Sequence, residues 1–88
     1  MILQEKVPGG KLLCVEVELS AGRIGKIRIT GDFFLHPEES IEAIERGLIG
    51  SRPDEVAAKV SAILSRERAQ LIGAAPEDIE RLVKRAVG

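Results

Sequence analysis

From Lys11 to Leu19 apolar and polar residues alternate, with Leu13, Val15, Val17 and Leu19 on one side and Glu16 and Glu18 on the other. Period two is the signature of a half-buried β-strand. Ser20-Ala21-Gly22 supplies turn residues, after which Ile27 and Ile29 alternate with Lys26, Arg28 and Thr30. This predicts a second strand paired antiparallel to the first. Ile24 is out of phase with Ile27 and Ile29, so Gly25 is predicted to be a bulge. In that register Glu16 and Glu18 face Lys26 and Arg28 across the exposed side. Met1 to Lys6 is a shorter candidate for a third strand, turned by Pro8-Gly9-Gly10.

The period then changes to that of a helix. From Pro37 onward, Ile41, Ile44 and Leu48 share one face and Glu38, Glu42 and Glu45 another. Pro37 suits a first helical turn, Glu38 and Glu39 suit the positive end of the helix dipole, and Gly50 suits the stop. A second helix is predicted from about Ser51, where Ser-Arg-Pro-Asp resembles a capping box. Its apolar stripe is Val56, Val60, Ile63 and Leu64, and it is expected to fray near Ser65 to Glu67. After a linker with Leu71, Ile72 and Gly73, a third helix starts at Pro76-Glu77-Asp78 and buries Ile79, Leu82, Val83 and Ala86. Strands first and helices afterwards predict an α+β fold: a small antiparallel sheet of two to three strands followed by three helices packed on one face.

The 88 residues are expected to form one domain, residues 1–88, that on folding buries roughly 60 to 65% of the unfolded chain's surface. A net charge of -1 gives no overall field toward nucleic acid or anionic membrane, and aromatic residues at 2% leave no stacking platform for bases. The apolar runs are far shorter than the ~20 residues that span a bilayer. With one cysteine, Cys14, no internal disulfide is expected, and the sequence from Met1 does not read as a basic, apolar leader. A cytoplasmic location is the default expectation, with no nucleic acid and no membrane as partner.

Asp32, His36 and Cys14 are the residue types that act as base, acid or nucleophile. Their spacing argues against a site. Cys14 lies inside a strand and is expected to pack as a small hydrophobe, and His36, before Pro37, is expected to be a capping or loop residue. No second histidine or cysteine completes a metal site. Gly9-Gly10-Lys11 opens a strand and lacks the glycine spacing of a phosphate loop, so a tight turn is the better reading. The acidic face of Glu38, Glu42 and Glu45 is either a solvated surface, with Glu42 pairing to Arg46, or a site for a basic partner.

Both aromatic residues of the chain, Phe33 and Phe34, stand side by side at the corner between strand and helix. Adjacent side chains on extended backbone point to opposite faces, so the two cannot fill one core. One is expected to anchor the corner and the other to meet a partner. Asp32 either accepts backbone hydrogen bonds in an Asx-turn or contacts another subunit.

Lys6-Val7-Pro8-Gly9-Gly10-Lys11-Leu12, then Gly31-Asp32-Phe33-Phe34, then Pro37-Glu38-Glu39 with Ile41, Ile44-Glu45 and Leu48-Ile49-Gly50, form an ordered set. That set resembles the small C-terminal domain of lipoate protein ligases, in detail from about residue 5 to residue 50 and more loosely beyond. Such ligases activate lipoate with ATP to lipoyl-adenylate and pass the lipoyl group to a lysine of a lipoyl carrier domain. Their adenylate pocket belongs to a large domain. A chain that starts at Met1 with the small domain alone resembles the accessory subunit of a bipartite lipoate protein ligase.

The resemblance implies no active site here, docking on the catalytic large subunit as a heterodimer, and a requirement for this chain in adenylate formation. ATP, Mg and lipoate are implied for the catalytic partner and none for this chain alone. The implied fold is related to iron-sulfur scaffold proteins of the IscU and SufE type, whose cysteines have no counterparts here. Gly10, Lys11, Gly31, Asp32, Phe33, Phe34 and Pro37 are the candidate interface residues. The alternative is a stand-alone protein-binding adaptor unrelated to lipoate.

Overall fold

In the computed structural model, which describes residues 1–9 and 11–88, the alternating stretches form β1 (Ile2–Lys6), β2 (Leu12–Ser20) and β3 (Arg23–Gly31). They make one antiparallel sheet in the order β1-β2-β3. Leu13, Val15, Val17, Ile27 and Ile29 are buried on one face, while Glu16 stands opposite Arg28 and Glu18 opposite Lys26 on the other. The register shifts by one between Glu18 and Leu19, which leaves Gly25 unpaired and returns Ile24 to the core. Ala21 and Gly22 connect the strands with φ of 53° and 78°, a backbone that matches the twist of a tight hairpin. The Val7 N–H donates to the Lys11 carbonyl at 2.8 Å across the turn that carries Pro8 and Gly9. Gly10 lies outside the described residues.

The three helices are α1 (Ser40–Leu48), α2 (Val56–Glu67) and α3 (Pro76–Val87). α1 starts three residues later than Pro37. The N–H groups of Ser40, Ile41 and Glu42 donate to the carbonyls of Pro37, Glu38 and Glu39, so the chain enters the helix through tighter three-residue turns. Ser51 does not cap α2. Pro53 opens a single 3-10 turn, Pro53–Glu55, which makes Arg52 the flanking residue; its N–H donates to Glu55 Oε1 at 2.8 Å. Glu55 therefore takes the part expected of Asp54. α2 also runs on to Glu67, where Arg68 turns left-handed with φ of 52° and the Ala69 N–H donates to the Leu64 carbonyl.

Residues expected as linker form a strand, β5 (Gln70–Ile72), paired antiparallel with β4 (Phe34–His36) in a separate two-stranded sheet. Three residues are too few to display a period, and the partner strand lies far off in sequence. The fold is α+β with this second sheet added.

α3 packs on β1 and β2, α1 on β3, and α2 on both helices. Ile44, Leu48, Val56, Val60, Ile63, Ile79, Leu82 and Val83 meet the buried sheet face in one apolar cluster. Burying each such side chain contributes about 1.5–3 kcal/mol. Polar groups then fix the helices to one another and to the sheet. The Ala57 N–H at the start of α2 donates to Glu80 Oε1 of α3 at 2.9 Å. This hydrogen bond, helped by Lys84 and opposed by burial, holds the Glu80 carboxyl below its ordinary value.

Both edges of the larger sheet are guarded. On β3 the Ile29 N–H donates to Glu45 Oε2 at 2.7 Å, so Glu45 is not part of a solvated acidic face. Further along, the Ile24 N–H donates to the Ser51 carbonyl and the Gly50 N–H to the Ile24 carbonyl. On β1, Glu5 faces the helices and holds Arg81 and Arg85, with Arg81 also bound to Asp78 at 2.9 Å. An inward-facing charge on an edge strand discourages pairing with a foreign strand.

β3 ends at Gly31, whose φ is +151° and where a Cβ would stand 2.3 Å from the Leu12 carbonyl oxygen. The Asp32 N–H donates to that same oxygen at 2.8 Å. Gly31→Ala is expected to destabilise the fold by about 3 kcal/mol, read as a lower midpoint in urea. For Glu80 the folded value is depressed, so its contribution is present above the ordinary value of 4.5 and is lost as pH falls through the folded value. Glu80→Gln should therefore lower the thermal midpoint at pH 7 and make little difference at strongly acid pH. An equal loss at both would show that the carboxylate charge is not involved.

Candidate functional site

The corner after Gly31 gathers the residues that stood out in the sequence. Leu35 takes the core position of β4 and is buried, which by strand alternation turns Phe34 to the opposite face, 73% exposed. Phe34 is paired with Ile72 across β4 and β5, and Ile72 is 59% exposed, so the two form an apolar pair on the outer surface of the small sheet. Phe33 is half-buried and packs against the core. Phe33 therefore anchors the corner and Phe34 faces out.

Beside this pair opens a cleft of about 430 Å³. Phe33, Phe34, Leu35 and Ile41 make its apolar walls, and Thr30, Gly31 and Glu38 complete the lining. Among the described residues the Glu38 carboxylate takes part in no hydrogen bond or ion pair. Lys11 and Phe33 meet at Gly73: the Lys11 Cγ lies 3.3 Å from where a Cβ on Gly73 would stand, and the Phe33 Cα 3.5 Å from the same point. Gly73 has φ of +94°, so a side chain there would be both strained and crowded.

Of the seven candidate interface residues, Gly31, Phe33 and Phe34 line the cleft, Asp32 stands between Gly31 and Phe33 in the chain, and Lys11 lies against Gly73. Pro37 is half-buried in the turn before α1. Gly10 lies outside the described residues. Asp32 is exposed, and among the described residues its carboxylate accepts no hydrogen bond, so only its backbone shapes the corner and the Asx-turn is not formed.

The groups with catalytic chemistry do not assemble. Cys14 sits between Gln4 and Thr30 on the sheet face turned away from the core, half-buried. His36 is the last residue of β4, opposite Gln70, and makes no helix cap. Among the described residues no three His, Cys, Asp or Glu side chains gather to hold a metal ion, and no helix is long and apolar enough to cross a membrane.

Nothing in the sequence marks Thr30, Ile41, Ile72 or Gly73 as site residues, whereas Glu38 belongs to the acidic face already offered to a basic partner. Glu38 was visible as part of a motif, whereas Ile72 becomes notable only once β5 is paired to β4.

Residues 1–83 match the model of a family described as the bacterial lipoate protein ligase C-terminus. A stretch of 45 residues is 42% identical to lipoate-protein ligase A subunit 2 of Thermoplasma acidophilum. That alignment covers 51% of this chain and 48% of the relative, so the match spans about half the relative's length. The fold superposes with a TM-score of 0.77 on a chain from the structure of an archaeal lipoylation system, a bi-partite lipoate protein ligase and its E2 lipoyl domain from Thermoplasma acidophilum. The superposition covers 94% of both chains at 28% identity. With a family model matched over nearly its whole length, this chain belongs to the bacterial lipoate protein ligase C-terminus family.

Proposed function

We propose that this chain is the non-catalytic accessory subunit of a bipartite lipoate protein ligase, docking on a catalytic large subunit and required there for ATP-dependent formation of lipoyl-adenylate. The observation that carries this reading is the superposition over 94% of both chains on a chain from a bipartite ligase system. ATP, Mg and lipoate bind the catalytic subunit, and lipoyl carrier domains are reached through it.

The corner supplies a physical route. A protein that guards both edges of its main sheet yet leaves Phe34 and Ile72 in water has a surface suited to burial against a partner. Phe34 fills a pocket on the catalytic subunit, and Lys11 and Asp32 set the orientation around it. If the adenylating conformation of the catalytic subunit presents that pocket better, binding shifts its population toward that state.

The test is lipoyl-adenylate formation by the catalytic subunit with and without this chain. Stimulation supports the accessory reading, and its absence overturns it in favour of an adaptor unrelated to lipoate. Phe34→Ala removes a side chain that is mostly exposed, so folding stability should change by only about 0.5 kcal/mol. Complex formation should weaken by about tenfold or more, with adenylate formation falling in parallel. A variant that binds and activates as well as wild type would remove Phe34 from the interface.

A further inference from the structure

We infer that the corner cleft receives a basic side chain, arginine or lysine, from the catalytic subunit, held between the Phe34 ring and the Glu38 carboxylate. The inference rests on the docking reading above and specifies what docks. The cleft walls are aromatic and aliphatic, and Glu38 is the one charged residue in the lining. Asp32 and Glu39, both exposed, add negative charge on either side of it in the chain. The first acid of α1, Glu42, faces Arg46. Lys11 lies against Gly73 and is not part of the cleft lining, and among the described residues it forms no ion pair with Glu38.

A purely apolar occupant would strip water from the Glu38 carboxylate and give nothing back. A guanidinium or ammonium group replaces that water with a charge-assisted hydrogen bond. Its aliphatic stem covers Leu35 and Ile41, and the exposed ring face of Phe34 attracts the cation directly.

The experiment titrates the catalytic subunit with wild type, Glu38→Gln, Phe34→Leu and the double variant, at low salt and at about 0.5 M NaCl. Phe34→Leu keeps apolar bulk and removes the ring. Each single change should weaken binding at low salt by about tenfold. The double variant should lose less than the product of the two, because both contacts hold the same side chain. The Glu38→Gln effect should shrink at high salt, and Glu42→Gln, outside the cleft, should bind as wild type. Wild-type affinity for Glu38→Gln overturns the inference. So does full affinity for Phe34→Leu when Phe34→Ala binds poorly, since the occupant is then apolar; in either case the accessory reading survives. Failure of wild type to bind the catalytic subunit overturns the accessory reading, and this inference with it.

Discussion

The approach of Gly31 to the Leu12 carbonyl is the constraint on which the functional end of the molecule depends. It brings the exit of β3 onto the first residues of β2 more closely than any side chain would allow. The Asp32 N–H then binds the same carbonyl, and the chain leaves the main sheet at a fixed angle. Two motifs some twenty residues apart in sequence, one around Lys11 and one around Phe33, become neighbours through that contact. Gly73 closes the arrangement from the far end of the chain by admitting Lys11 and Phe33 on one side.

Polar groups are distributed unevenly over the surface, and the unevenness is informative. Around the larger sheet, edge N–H and C=O groups are taken by Glu45, Gly50 and Ser51, and Glu5 places a charge under the opposite edge. At the smaller sheet the situation reverses: large apolar side chains stand in water beside the Glu38 carboxylate. A chain of this size has few aromatic groups to place, and one of its two is mostly outside the core. Protection in one place and exposure in another separate the surface that must stay alone from the surface suited to being covered.

Much of this was legible in the sequence where a period could run for two turns or more. β2, β3, the bulge at Gly25 and the core faces of all three helices follow from spacing alone, because burial acts on every second or every third to fourth residue. The failures fall where structure is short or non-local. β5 is three residues long and owes its existence to β4, so no window along the chain contains its cause. Glu45 has the spacing of a surface residue and is recruited by a backbone group on another element. The helix starts shifted because Pro37–Glu39 close as three-residue turns and Pro53 moves the cap to Arg52. Adjacency of Phe33 and Phe34 told that one must face out; only the burial of Leu35 told which.

The ion pairs between Glu5 and the arginines of α3 join residues 76 and 80 positions apart. Closing a loop of that length is entropically unfavourable and is offset only after the intervening elements have formed. During synthesis β1 can pair with β2 long before α3 exists, yet the Glu5 carboxylate does not meet Arg81 and Arg85 until α3 arrives. β1 is therefore secured only once α3 has formed, and damage to α3 is felt at a strand some 76 residues away in the chain.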